Sequence, residues 1–185
     1  EVITSRKVKL NYLIRMSLVG YEAAKKNETP NADFSGLTLS ESSENFEKEL
    51  KEVMLESVVQ LEATSFSVGV VEKSEIKEVL IYLTKALKNN KSYQEIHPSE
   101  LELETTLIRQ LQAKEFLKIK TENSEVKITD DDALKYYEKH KVKFGSVPFD
   151  QFKENIKLVL GRKKMEESLK DWFEILKRKY KVRII

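Results

Sequence analysis

The chain has 185 residues, of which 40% are hydrophobic, 33 are Lys or Arg and 31 are Asp or Glu, for a net charge of +2. Five glycines and three prolines are too few for a turn-rich sandwich or barrel, and the composition is that of long solvated helices. With no cysteine and two histidines, His97 and His140, disulfides, thiolate zinc sites and cysteine nucleophiles are excluded.

No apolar run approaches the ~20 residues of a membrane span, so no stable membrane insertion is expected. The chain starts at Glu1 without a methionine or an apolar leader core, which fits either a removed leader or a trimmed start. Residues 5–26 read as a first helix, with Val8, Tyr12, Met16 and Val19 at helical spacing, Leu13 and Ile14 widening the stripe, and Thr4 or Ser5 as cap. Residues 27–45 hold Pro30, Gly36 and many polar side chains and read as a loop or partly ordered excursion. Phe34, Leu37 and Leu39 within it predict that it docks somewhere.

A second helix is expected over 46–63, with Phe46, Leu50, Val53, Met54, Val58 and Leu61 on one face. The β-branched and aromatic stretch 64–71, which contains Gly69, ends it. Glu72 then caps a third helix carrying Ile76, Val79, Leu80, Leu83 and Leu87. After a polar break at Asn89, Asn90 and Lys91, Pro98 and Ser99 open a fourth, with Leu101, Leu107, Ile108, Leu111 and Leu117 inward. Thr129 followed by Asp132 has the spacing of a capping box, and the three acids 130–132 suit a helix N-terminus.

A short helix follows through Ala133, Leu134 and Tyr137, with Tyr137 rather than Tyr136 turned inward. Beyond the breaker 145–148, a helix over 149–179 carries Phe152, Ile156, Val159, Leu160, Met165, Leu169, Trp172, Phe173 and Leu176. At 1.5 Å per residue it spans roughly 46 Å, against a radius of gyration of about 16 Å for a globule of this length, so an elongated molecule is expected. Trp172 reads as a packing anchor. Gly161 marks a bend or a close approach. The tail Val182, Arg183, Ile184 and Ile185 is strand-like, and Val2, Ile3 and Thr4 are its natural pairing partner.

In order and spacing these segments resemble the SurA-like periplasmic chaperones, in their chaperone portion. Glu1-Val2-Ile3-Thr4-Ser5 is similar to that family's strand-to-helix start, and 127–138, KITDDDALKYYE, to its T-D-E-E-V-x-x-Y-Y-E segment. The run from Phe149 to Trp172 and on to Val182-Arg183-Ile184-Ile185 resembles the family's ending. Relatives with a parvulin prolyl-isomerase domain carry it between these last two segments. Here only residues 145–148 separate Phe144 from Phe149, too few for a domain.

The resemblance implies a mostly α single chaperone domain, its N-terminal helical portion covering residues 1–128 and its closing portion residues 129–185. In that fold the last helix packs back on the N-terminal helices and a small β element pairs the termini. It also implies an ATP-independent holdase in the periplasm of a Gram-negative bacterium, with unfolded exported chains as clients, outer-membrane β-barrel precursors above all. No enzyme site, cofactor or metal is expected. The acids 130–132 lack the alternation, glycine and terminal glutamate of a calcium loop, and no G-x-x-x-x-G-K motif occurs.

Candidate client contacts, chosen as flexible or aromatic groups able to repack around varied peptides, are Met16, Phe34, Leu37, Leu39, Phe66, Tyr82 and Tyr93. For each, completion of the core is the competing reading. The alternative function is a helical scaffold binding one folded partner. A prolyl isomerase is disfavoured by the short 145–148 link. Nucleic-acid binding is disfavoured because the basic side chains of 151–185 alternate with acids, as on a solvated helix face. Long terminal helices also allow exchange between protomers, leaving a swapped homodimer open.

Overall fold

Side-chain caps set most of the helix starts in the computed structural model, which describes residues 2–26, 32–122 and 126–182. Thr4 Oγ1 accepts from Lys7 N at 3.3 Å and starts α1, Ser5–Lys25. Ser43 Oγ accepts from Phe46 N at 3.2 Å and starts α2, Glu44–Ser65. Glu72 precedes α3, Lys73–Leu87, without a side-chain cap bond. Asn90 Oδ1 accepts from Tyr93 N at 2.8 Å and starts α4, Lys91–Ile96, a helix within what the sequence reads as a polar break.

Ser99 and Glu102 bond reciprocally, Ser99 N to Glu102 Oε2 at 2.9 Å and Glu102 N to Ser99 Oγ at 3.2 Å, at the head of α5, Glu100–Glu122. Thr129 and Asp132 form the expected capping box on α6, Asp130–Lys139. The one-turn α7, Lys141–Phe144, ends at Gly145 with φ +60°. Then α8 runs over Phe149–Lys179, the span expected from the apolar stripe. Each side-chain cap is worth about 1 kcal/mol. Among the described residues there are eight helices and no strand, and the chain is mostly α.

The chain divides into two compact units, residues 1–117 and 118–185, with the division inside α5 rather than before α6. In the first unit α1 is the hub, packed against α2, α3 and α4. Leu10, Ile14 and Leu18 join Ile76, Val79 and Leu83 of α3 and Leu103 and Leu107 of α5. Val8 meets Leu39 and Val53, and Leu13 meets Phe34 and Leu87. A helix buried on several sides has no single apolar stripe. Hence Val19, expected inward, is exposed, whereas Leu10, Leu18 and the polar Asn11 and Ser17 are buried.

On α2 the inward positions include Glu49, Val53, Glu56, Val59 and Ala63, a helical row rotated from the apolar one because two carboxylates sit in it. That rotation turns Leu61 out to solvent. Leu101, also expected inward, is 71% exposed in the first turn of α5. Gly69, at φ +73°, lets the backbone after α2 pass close to α5: a Cβ there would lie 3.1 Å from the Gln112 carbonyl oxygen.

In the second unit α6 packs on α8 through Ala133, Tyr137 and Ile156, with Phe144, Phe149, Phe152 and Leu160 around them. Tyr137 turns inward as expected, its hydroxyl donating to Val147 O at 2.6 Å and its ring stacking on Phe144 at 5.0 Å. Leu134 and Val159, expected inward, are exposed. Val2, Ile3 and Thr4 belong to no helix or strand, and their expected partners Arg183, Ile184 and Ile185 lie outside the described residues, as do 27–31 of the loop.

Candidate functional site

The seven expected client contacts separate by burial. Phe34 and Leu39 are core residues, and Leu37, Tyr82 and Tyr93 are half-buried around Phe34. A single side chain pins this arrangement. The buried Asn90 Nδ2 donates to Phe34 O at 2.6 Å and to Leu37 O at 2.7 Å, tying the loop to the start of α4. Gly20 of α1 gives the Phe34 ring its room, since a Cβ there would meet Phe34 Cζ at 2.5 Å. The excursion therefore spends its apolar side chains on the first unit's core. Met16 is half-buried, and Phe66, at the C-cap of α2, is 62% exposed. Of the seven, Phe66 alone is a surface group.

Sequence reasoning missed the polar core beside this loop. Asn11 Nδ2 donates to Glu49 Oε1 at 3.0 Å, and Arg15 Nε donates to Glu49 Oε2 at 3.1 Å. Arg109 of α5 donates to Asn11 Oδ1, and Gln110 Nε2 donates to Asn11 O at 2.9 Å. Glu56 Oε2 stands 3.7 Å from Arg109 Nε, both side chains nearly buried. Burial pushes the Glu56 carboxyl up to about 7, against the pull of Arg109 and a hydrogen bond from Asn11. The network joins α1, α2 and α5. Its two carboxylates, Glu49 and Glu56, are met by Asn11, Arg15 and Arg109, which offset the cost of burying them. Charged side chains look like surface in a sequence, and no pattern there marks these as buried.

The two histidines lie on separate elements. His97 is exposed at the C-cap of α4 with φ +47°, and His140 stacks on Tyr136 with Nδ1 at 2.9 Å from Tyr136 O.

Open apolar surface lies on the second unit. The ammonium groups of Lys153 and Lys157 on α8 both pair with Asp130, fixing the head of α6 and holding its carboxyl below the ordinary range. The non-helical segment 126–129 then crosses α8 at Gly161, where a Cβ would lie 3.9 Å from Ile128 Cγ1. Shallow grooves run on either side of Ile128. One is floored by Ile128, Tyr136 and Leu160 and rimmed by Lys135, Lys139, Lys163, Lys164, Asp132 and Glu167. The other is floored by Val126, Ile128, Leu158, Gly161 and Met165, with Glu154, Lys157, Arg162 and Glu166 at its edges.

Leu158 is 61% exposed. Farther along α8 only Leu176 is buried, and Trp172 is half-buried with Lys120 Nζ 4.5 Å above its ring. In the sequence the only trace of the grooves was the mid-helix Gly161. Compared with protein-family models, with curated proteins and with solved structures, the chain matches none.

Proposed function

We propose that this chain is an ATP-independent holdase for unfolded polypeptides. The observation that carries the reading is the pair of open, apolar-floored grooves beside Ile128, with Leu158 and Val159 exposed along the same helix. Monomer surfaces hold scattered apolar side chains, but contiguous apolar floors with polar rims mark interaction sites. Shallow grooves suit extended chains of varied sequence better than a defined small molecule, whose sites are deep and enclosing. Phe66 on the first unit is a second, separate apolar contact. Several weak contacts on one chain add avidity without fixing one client sequence. Binding the unfolded form preferentially lowers its free concentration and slows its aggregation.

The sequence resemblance to SurA-like chaperones points the same way, and with it come a periplasmic location, outer-membrane β-barrel precursors as clients, paired chain ends and no catalysis. The test is light scattering from a denatured outer-membrane barrel protein diluted out of urea. Dose-dependent suppression near stoichiometric amounts, without ATP, is the expected result, with Phe66→Ser and Leu158→Ser each weakening it at unchanged helicity. Full aggregation in the presence of folded chain would overturn the reading in favour of a scaffold for one native partner.

A further inference from the structure

The two units differ in charge as well as in fold. Residues 1–117 carry 15 basic and 19 acidic side chains, net −4, whereas 118–185 carry 18 basic and 12 acidic, net +6. Of the two grooves beside Ile128, one is lined by four lysines and two carboxylates, the other by two cations and two carboxylates. Lys135 and Lys139 line the first from α6 and Lys163 and Lys164 from α8, together with the apolar Tyr136 and Leu160. Two carboxylates, Asp132 and Glu167, share the rim and leave it a net charge of +2; Asp132 Oδ2 is held at the α6 cap, accepting from Thr129 N at 3.0 Å and from Thr129 Oγ1 at 2.7 Å. Lys135 also pairs with Asp131 at 2.6 Å, but that pair is exposed and contributes little.

We propose that this groove selects extended peptide segments in which a bulky apolar side chain is flanked on both sides by Asp or Glu. The apolar residue would lie on Tyr136 and Leu160, and the flanking carboxylates would meet one lysine pair each. The groove on the other side of Ile128 has two cations and two carboxylates at its edges and carries no such preference. The inference rests on the holdase reading and gives it a client chemistry: acidic-apolar segments first, others more weakly. An apolar floor with two carboxylates at its rim favours a peptide over a polyphosphate, which needs neither.

The test uses the full chain and three peptides of equal length around one central leucine, flanked by acidic, neutral or basic residues, each with an uncharged dye. Fluorescence anisotropy at low salt is expected to rank acidic over neutral over basic, with roughly tenfold between the first and the second. The gap should shrink as ionic strength approaches physiological values, where the screening length falls to about 8 Å. The double variant Lys163→Glu with Lys164→Glu is expected to remove or invert the ranking. Lys170→Glu with Lys181→Glu, equal in charge change but outside the groove, should keep it; circular dichroism checks that both stay folded.

Equal affinity for all three peptides, or equal loss in both double variants, would overturn the proposal. So would a single-stranded oligonucleotide that displaces the acidic peptide, or a dimer that the peptide dissociates, which would give the groove to a second copy. Aggregation suppression without peptide ranking would sink this inference and leave the holdase reading standing. Ranking without suppression would do the reverse.

Discussion

Replacing Glu56 by Gln tests the buried network through its dependence on pH. The folded carboxyl sits at about 7 and the ordinary value is 4.5, raised chiefly by burial. A carboxyl whose folded pKa is raised favours the folded state most below about pH 4.5. That contribution is lost as pH rises toward and past 7, because the unfolded chain ionises first. The full gap is worth about 3 kcal/mol at ~1.4 kcal/mol per pH unit, of which ~2.5 kcal/mol falls between pH 5 and 8.

The groups facing it are Arg109 at 3.7 Å, Asn11, and the charges of Glu49, Glu52 and Arg15, and none of them is a histidine that would titrate in the same window. The uncharged Gln resembles the protonated form in shape. Urea denaturation followed by helical circular dichroism should therefore show wild type and Glu56→Gln closest near pH 5. The variant should gain on wild type by ~2.5 kcal/mol between pH 5 and pH 8. Parallel stability curves across that range, with the variant folded, would refute the reasoning and mean that Arg109 and Asn11 keep the carboxylate ionised throughout.

The other predictions concern the loop and the glycines. Asn90→Ala removes the donor to two loop carbonyls and the cap of α4, so a loss of roughly 2–4 kcal/mol in the same denaturation assay is expected. Gly20→Ala should destabilise despite alanine's helix preference, because its Cβ would overlap the Phe34 ring; the net cost is about 1–2 kcal/mol. Gly161→Ala should stabilise by up to about 1 kcal/mol, since its Cβ reaches only ordinary contact with Ile128. Thr129→Ala should cost about 1 kcal/mol through loss of the capping box on α6.

Helix limits were most legible where chain chemistry is local. Thr129 with Asp132, Pro148 before Phe149, and Glu72 before Lys73 marked starts that the structure keeps. Positions within helices were less legible, because inwardness depends on what surrounds the helix. On α1, Asn11 and Ser17 are as buried as Leu13, which no hydrophobic pattern reveals. On α2, Glu49 and Glu56 hold inward positions because Arg15, Asn11 and Arg109 converge on them from other elements, contacts between residues far apart in the chain.

The same non-locality governs the candidate contacts. Phe34 and Leu39 show in the sequence that their loop docks but not where; Asn90, more than fifty positions away, clamps that loop to the core. The grooves beside Ile128 needed α8 to pass under segment 126–129, and the sequence carried only Gly161 as a trace of that crossing.

The most direct measurement is a titration of one labelled polypeptide in two states, native and urea-unfolded after dilution, against this chain. The account predicts binding to the unfolded form and none to the native form at the same concentrations, with affinity reduced by Leu158→Ser. Binding to the native form alone, or to both forms equally, would contradict it and make the protein a scaffold for a folded partner.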